Sequence, residues 1–139
     1  MSYVVRHKNE IVNYPVEGCH GGEGYIYVRQ MLGYEPALPV PGFPEDFETL
    51  VNFVHVTTLP EGTSIGLHPH NQNEEFYLVI SGTGEMTVDG DKHIMKPGSI
   101  CLTKSGSKHT FKNIGAEDLQ IVVVEAVMNA SLKNVADKD

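Results

Sequence analysis

Apolar residues along the chain recur in short runs that mostly alternate with polar residues, and Gly, Pro, Asn and Asp separate the runs. Alternation with a period of two is typical of β-strands, and no segment shows a sustained helical period, so the pattern predicts an all-β protein. The predicted strands are 25–32, 50–58, 64–70, 76–81, 85–88, 92–95, 99–103, 109–113 and 119–126. Strands of these lengths suit a barrel or a sandwich.

The turn residues support this interpretation. Asp89-Gly90 separates two short strands, and both residue types tolerate the positive φ that a two-residue hairpin turn needs. Lys96-Pro97-Gly98 predicts the next turn. Both alternating faces of the strand at 76–80 are apolar, and the same holds for 121–124, which predicts burial against a second sheet or a partner subunit.

The segment 33–49 contains Pro36, Pro39, Pro41 and Pro44, and we therefore predict a long, stiff loop rather than a strand of a central sheet. Such a loop could act as a lid over a site, or it could be a surface excursion or a dimer arm. As a lid it would offer Glu45, Asp46 and Glu48 as general acids.

Composition narrows the class of partner. The 139 residues carry a formal net charge of −8 and only two arginines, which argues against a nucleic-acid or anionic-membrane surface and favours a small molecule. The apolar runs are too short to cross a bilayer, and the first ten residues lack the apolar core of a signal peptide. Two cysteines are too few for a disulfide framework, so we expect a cytoplasmic protein with both thiols reduced.

The chemistry centres on His68, His70, Glu75 and His109. Residues two apart on a strand share a face, so the first two imidazoles can converge on one ion. A turn at 105–107 would let His109 begin a new strand with its ring directed inward. Three imidazoles and one carboxylate suit Fe, Mn, Co, Ni or Zn, and four protein ligands on a six-coordinate ion leave two positions for substrate or water.

These residues also match a known pair of motifs. Gly62, His68, His70, Glu75 and Gly82 resemble the first motif of the cupin superfamily, and Gly98, Gly106, His109 and Asn113 resemble the second. Lys104 stands where the family usually has proline. The separation of the motifs, residues 83–97, is similar to that of small single-domain metal-binding cupins of the conserved-barrel type. Motif spacing and strand parity favour Glu75 over Glu74, although parity alone leaves a swap open.

The resemblance implies a double-stranded β-helix, a jelly-roll barrel of two antiparallel sheets. We place the barrel at 50–128, with 1–49 as N-terminal strands and the proline-rich loop of the same domain, and 129–139 as a polar tail. Members of the family commonly form homodimers in which N-terminal strands cross between subunits, and the strand at 25–32 would be the crossing strand here.

Weaker candidates surround the metal site. Tyr77 shares a face with Glu75, and Phe111 and Asn113 share one with His109, so each is a substrate-lining candidate. Gln72, near the predicted rim, and Arg29, on a predicted cavity strand, complete that set. Tyr77 and His55 are also catalytic candidates, although a packing tyrosine and a structural histidine are the plainer interpretations. A nucleotide site at His20 is disfavoured, because no helix follows its glycine-rich loop.

The expected function is a metal-dependent small-molecule enzyme, with dioxygenase chemistry or isomerase, decarboxylase or lyase chemistry at the metal. The scarcity of arginine argues against an oxalate-type decarboxylase. The alternative is a non-catalytic metal-containing module that binds a sugar or carboxylate. A metal-free isomerase would need an organised His–Asp pair, and the motif histidines are better explained as ligands.

Overall fold

The computed structural model describes residues 2–135 and contains ten β-strands with three short 3-10 helices, Lys8–Glu10, Cys19–Gly21 and Ala130–Leu132. The strands are β1 Tyr14–Glu17, β2 Tyr25–Gly33, β3 Val51–Leu59, β4 Ser64–Pro69, β5 Asn73–Ser81, β6 Gly84–Val88, β7 Asp91–Met95, β8 Ile100–Thr103, β9 Lys108–Asn113 and β10 Leu119–Val127. Within these residues, no helix is both long and apolar enough to span a membrane.

The strands form two antiparallel sheets. One has six strands in the order β1-β2-β3-β10-β5-β8, and the other has four in the order β4-β9-β6-β7. The hairpin between β6 and β7 turns at Asp89 and Gly90, which have φ values of 50° and 87°. This arrangement confirms the predicted all-β jelly-roll barrel.

Alternating side chains from both sheets form one core between them. In β10, for example, Leu119, Ile121 and Val123 are buried, and the residues between them are less so. Phe53 of β3 and Phe111 of β9 are the largest fully buried side chains of this core. Apolar groups therefore fill the barrel interior, and the predicted metal ligands, which are polar, must lie toward one end.

The observed strands differ from the predicted ones mainly at their ends. β1 was not predicted, because it is short and contains Pro15. It lies at the edge of the six-stranded sheet, the position in which a residue without an N–H is tolerated. β5 begins at Asn73, three residues before the predicted start, so Glu75 belongs to the strand itself.

The segment 76–80, which is apolar on both faces, lies in the six-stranded sheet, and one of its faces is on the outside of the barrel. In β5, Tyr77 and Val79 point into the core, whereas Ile80 on the opposite face is exposed. Ile100 and Leu102 of the neighbouring β8 are also exposed. The second apolar face is thus an outward sheet surface, and the four-stranded sheet does not cover it.

The proline-rich segment between β2 and β3 is a loop, as predicted, and polar contacts hold it to the barrel. Asp46 accepts two hydrogen bonds from the Arg6 guanidinium, at 2.6 and 2.8 Å, and a third from Gly33 N at 2.9 Å. Val40 is buried in the core cluster. The loop therefore contacts the barrel at two places, through Val40 and through Asp46.

Residues 129–135, the described part of the predicted tail, pack against the barrel. Lys133 Nζ donates to the carbonyl oxygens of Thr49 at 2.6 Å and Val51 at 2.7 Å. Asn134 N donates to Asn52 Oδ1 at 3.1 Å. The rest of the predicted tail, 136–139, lies outside the described residues, as does residue 1.

Candidate metal centre

The four predicted ligands meet at one end of the barrel. His68 lies in β4 opposite His109 in β9, His70 directly follows β4, and Glu75 lies in β5 of the other sheet. His109 Nε2 is 3.1 Å from His68 Nε2 and 3.0 Å from His70 Nε2. One ligand atom from each of the four residues lies within 4.8 Å of all the others, and all four side chains are buried.

Each imidazole is held from behind through its second nitrogen. His68 Nδ1 contacts Gly66 O, His70 Nδ1 contacts Asn73 Oδ1 and His109 Nδ1 contacts Thr103 Oγ1, all at 2.7 Å. The carbonyl and amide oxygens can only accept, so they require a proton on Nδ1 and leave the Nε2 lone pair directed at the centre. Partners of this kind orient histidine ligands in metal sites.

Glu75 shows that this centre fits a cation. Its Oε1 lies 3.3 Å from His70 Nε2 and 3.4 Å from His109 Nε2, yet it is buried and accepts no well-formed hydrogen bond from the described residues. A buried carboxylate oxygen without a donor is costly unless a positive charge compensates it. Two ligand nitrogens at right angles on an ion, each at about 2.1 Å, lie about 3.0 Å apart, which matches the observed nitrogen separations.

Burial and the carboxylate set the charge states of the histidines. Burial, reinforced by His20 and His109, lowers the pKa of His68 to about 3. Burial also opposes the charged form of His70, but the nearby carboxylate of Glu75 outweighs it and raises that pKa to about 9. For Glu75, burial favours the neutral acid, but the imidazoles of His109 and His70 beside it prevail and its pKa is lowered.

A fourth histidine packs on the cluster. The ring of His20 stacks on the ring of His68 with a centroid distance of 3.8 Å and an interplanar angle of 11°. His20 belongs to the 18–24 glycine loop, which approaches β4 so closely that a Cβ at Gly22 would lie 2.1 Å from Ser64 O. Sequence reasoning did not connect this loop to the metal site, because the contact depends on tertiary packing and not on local spacing.

A cavity of about 590 Å³ opens beside the ligands. Gln72, a predicted substrate-lining residue, lies on its wall with the left-handed φ of 60°. Its other lining residues include His20, Glu35, Asn52, Asn71, Asn73, Glu125, Val127, Leu132 and Val135. Among residues 2–135, no Lys or Arg lines the cavity.

The structure places the other substrate-lining candidates away from this cavity. Phe111 is fully buried and packs edge-on against Tyr77, deeper in the core. Asn113 Nδ2 donates to Leu59 O and Glu117 O, both at 2.8 Å, so its amide ties two chain segments together. Arg29 Nε donates to Ile11 O at 3.3 Å. Alternation correctly gave the inward face of β9, but it did not show how deep each residue lies.

The two catalytic candidates lie beneath the metal centre. Tyr77 is buried with its ring centroid 4.9 Å from that of His109, and burial followed by the charge of Glu75 raises its pKa well above the ordinary value. His55 is buried in β3 and contacts Thr57 and Glu35. Both side chains border a small void of about 20 Å³.

The loop acid at the cavity is Glu35, which was not predicted. Of the predicted loop acids, Asp46 is engaged by Arg6, and Glu45 and Glu48 are exposed and do not line the cavity. Glu35 lies beside Pro36 in an irregular segment, where no sequence periodicity indicates direction. Its burial depends on how the loop packs.

A third buried carboxyl, Glu125, is paired with Glu75 across β10 and β5. Its Oε2 accepts a hydrogen bond from Asn52 Nδ2 at 3.1 Å. Burial, with the negative charges of Glu75 and Glu35, raises its pKa to about 9. At neutral pH this side chain is a neutral acid, so it can both donate and accept hydrogen bonds at the cavity wall.

Comparison with known proteins agrees with the fold and the ligand cluster. The family model for the cupin domain matches residues 55–125, and the chain belongs to this family. It is 29% identical over 121 residues to the oxalate-binding protein of Thermotoga maritima, covering 87% of this chain and 91% of that relative.

Two solved structures show how far the similarity extends. A predicted oxalate decarboxylase from Thermotoga maritima superposes with a TM-score of 0.79 at 27% identity, over 89% of this chain and 99% of that one. The cupin domain of Cnp3 from Schizosaccharomyces pombe superposes with a TM-score of 0.59 at 20% identity, over 73% of this chain and 61% of that one, and shows similarity of fold alone.

Proposed function

We propose that this cupin is a metal-dependent enzyme that acts on an oxygen-bearing small molecule at His68, His70, Glu75 and His109. The observation that carries the proposal is the convergence of three tethered imidazoles on a buried, unsatisfied carboxylate oxygen. Four donors on a six-coordinate divalent ion would leave two positions for substrate or water, and a cavity of about 590 Å³ opens beside the ligands. The ion, iron, manganese, nickel, cobalt or zinc, would supply Lewis acidity and, if iron, dioxygen chemistry.

Two classes of reaction use such a site. An oxygenase needs a redox metal and consumes dioxygen, whereas an isomerase, decarboxylase or lyase needs only polarisation of a substrate oxygen. The chain contributes a neutral acid, Glu125, and the carboxyl of Glu35 to the cavity wall. Either group can transfer a proton to or from a bound substrate.

A non-catalytic metal-containing module that binds a sugar or carboxylate is the second candidate. The name of the Thermotoga maritima relative, an oxalate-binding protein, favours it. Binding without turnover would need the same ligands and cavity, so only assays of turnover separate the two.

Elemental analysis of untagged protein, purified without chelator, tests the metal site. We expect close to one transition-metal ion per chain in the wild type and in His93→Ala, which alters an exposed histidine, and little metal in His109→Ala. Equal metal content in all three samples, or none after reconstitution, contradicts the proposal. With iron bound, oxygen consumption in the presence of candidate substrates is the next assay.

We also propose that the protein is a cytoplasmic homodimer. The outer face of the six-stranded sheet supports dimerisation, because Ile80, Ile100 and Leu102 expose apolar surface there. Cys19 and Cys101 are both free thiols, which is consistent with a reducing compartment.

A further inference from the structure

Glu35 is the carboxyl that the proline-rich loop contributes to the site. It is 7% exposed and borders both the large cavity with three of the candidate ligands and the small void beneath them. Pro36 and Ala37, which follow it, also line the large cavity. The loop thus places one acidic group on the cavity wall, separated from the ligands along the chain.

A chain of hydrogen bonds orients this carboxyl from behind. His55 Nε2 lies 3.4 Å from Glu35 Oε2, and His55 Nδ1 lies 2.6 Å from Thr57 Oγ1. Burial lowers the pKa of His55 to about 4, so the imidazole is neutral and carries a single N–H. The carboxylate accepts from Nε2, and Nδ1 accepts from the threonine hydroxyl. An uncharged ring therefore positions Glu35 without adding a positive charge.

The charges of the site favour a monoanion. One carboxylate ligand, Glu75, leaves a divalent ion with one positive charge uncompensated, which a single substrate carboxylate neutralises. A second carboxylate on the substrate that reached Glu35 would meet a like charge, and like charges brought together in a partly buried site repel. A hydroxyl group at that position can instead donate a hydrogen bond to the carboxylate, which is stronger than one between neutral groups.

The size of the cavity points to a ligand longer than a two-carbon acid. Its volume of about 590 Å³ lies within the range of roughly 300–1,000 Å³ that holds drug-sized ligands. The side-chain amides of Asn71 and Gln72, which are exposed on its wall, can each donate and accept, which suits hydroxyl groups.

On these grounds, and resting on the proposed metal site, we infer that the cavity binds a polyhydroxylated monocarboxylate. The carboxylate end is directed to the histidine cluster, and a distal hydroxyl donates to Glu35. Glu35 is then the residue that selects a hydroxyl over a second carboxylate, and His55 is a positioning residue for it. This specificity differs from that in the name of the oxalate-binding relative.

Calorimetric titration of the manganese-reconstituted protein at pH 7 tests this inference with three probes. Lactate has the carboxylate and one hydroxyl, gluconate adds a chain of hydroxyls, and glucarate is gluconate with a carboxylate in place of its terminal hydroxymethyl group. We expect gluconate to bind about tenfold or more tightly than either lactate or glucarate, as expected for one charge-assisted hydrogen bond gained. Equal affinities for gluconate and glucarate, or for gluconate and lactate, overturn the inference.

Variants assign the discrimination to Glu35. Glu35→Gln, which keeps the shape and removes the charge, should reduce the preference for gluconate over glucarate to within about threefold, whereas Glu35→Asp should retain a preference for gluconate. Glu48→Gln removes an exposed carboxyl of the same loop and should behave as the wild type. Unchanged discrimination in Glu35→Gln, with an unchanged melting temperature, overturns the assignment.

Metal content measured on the same samples separates the two proposals. A wild type that takes up no manganese contradicts the metal site and the inference together. A manganese-loaded wild type without discrimination contradicts the inference alone. We expect Glu35→Gln to retain its manganese, because Glu35 is not one of the four clustered ligands.

Discussion

The ring of His20 lies flat on the ring of His68, with centroids 3.8 Å apart. The stack covers one face of the ligand imidazole, and the covering residue comes from the loop between β1 and β2. His68 is therefore restrained twice, by this stack and by its Nδ1 contact to Gly66 O. The stack is an apolar restraint, which a phenylalanine could also provide.

We predict that His20→Ala lowers metal affinity by roughly 10–100-fold, the usual effect of losing a group that orients a ligand. His20→Phe should restore most of it, because an aromatic ring can retain the stack. Competition with a fluorescent chelator measures the dissociation constants. If the phenylalanine variant is as weak as the alanine variant, the stack is not the restraint.

Thr103 provides a second test of orientation. Its hydroxyl lies 2.7 Å from His109 Nδ1, and the side chain is buried. Thr103→Val keeps the volume but leaves the imidazole nitrogen without this partner, so we expect metal affinity to fall by roughly 10–100-fold and stability by about 1–3 kcal/mol.

Chelator competition and urea unfolding give the two values. Thr110→Val is the matched control, since that hydroxyl bonds to Ile65 O and does not reach the cluster. A Thr103→Val protein with wild-type affinity would show that the other contacts of His109 suffice to orient it.

The Asp46–Arg6 pair should stabilise the loop that carries Glu35. Asp46→Asn loses the paired charge, and we expect a loss of about 1–3 kcal/mol in the free energy of unfolding. The hydrogen bond from Arg6 lowers the pKa of Asp46 in the folded state, despite an opposing effect of burial. The charge of Asp46 therefore contributes fully to stability above its pKa in the unfolded chain, about 3.9. This contribution is lost as the pH falls through the lower pKa of the folded state.

Urea unfolding of both proteins between pH 2 and pH 7 checks this pattern. The difference between wild type and Asp46→Asn should be constant near neutrality and shrink in acid. Glu45→Gln, an exposed neighbour, should match the wild type throughout. If the difference in unfolding free energy persists unchanged at the lowest pH, the charge of Asp46 is not its cause, and the loss of other contacts is.

The outer face of the six-stranded sheet should respond to charge if it is the dimer interface. Leu102, exposed by 48%, lies on that face, and Ile94, exposed by 54%, lies in β7 of the other sheet. We predict that Leu102→Glu yields monomers and Ile94→Glu does not, because a buried unpaired carboxylate opposes association. Light scattering over a range of concentrations measures the mass. A dimeric Leu102→Glu protein would exclude this face.

Most strands were predictable because they place apolar residues on at least one face with a period of two, and the Asp89-Gly90 turn indicated β7. Pro15 shows where this signal ends, because β1 has only four residues and a proline within a run argues against a strand. The ligand cluster was predictable for a related reason, because its spacing depends on neighbouring strands and one turn. His20 and Glu35 lie in loops, and tertiary contacts such as those of Gly22 with β4 and of Asp46 with Arg6 determine where those loops pack.

Asn113 and Phe111 illustrate a different limit. Strand parity indicates that they point to the same side as His109, and both are indeed buried. Parity carries no information about position along the barrel axis, and the cavity occupies only the end at which the ligands lie. Depth follows from how the two sheets pack, which no single strand reveals.

The short segment around Lys133 has a consequence for how ligands enter and leave. Leu132 and Val135 form part of the cavity wall, while a few polar bonds from Lys133 and Asn134 attach the segment to the barrel. Segments attached in this way open locally at a lower free energy than the whole fold. Amide hydrogens of 132–135 should therefore exchange with deuterium well before those of β10, and a ligand that fills the cavity should slow their exchange first.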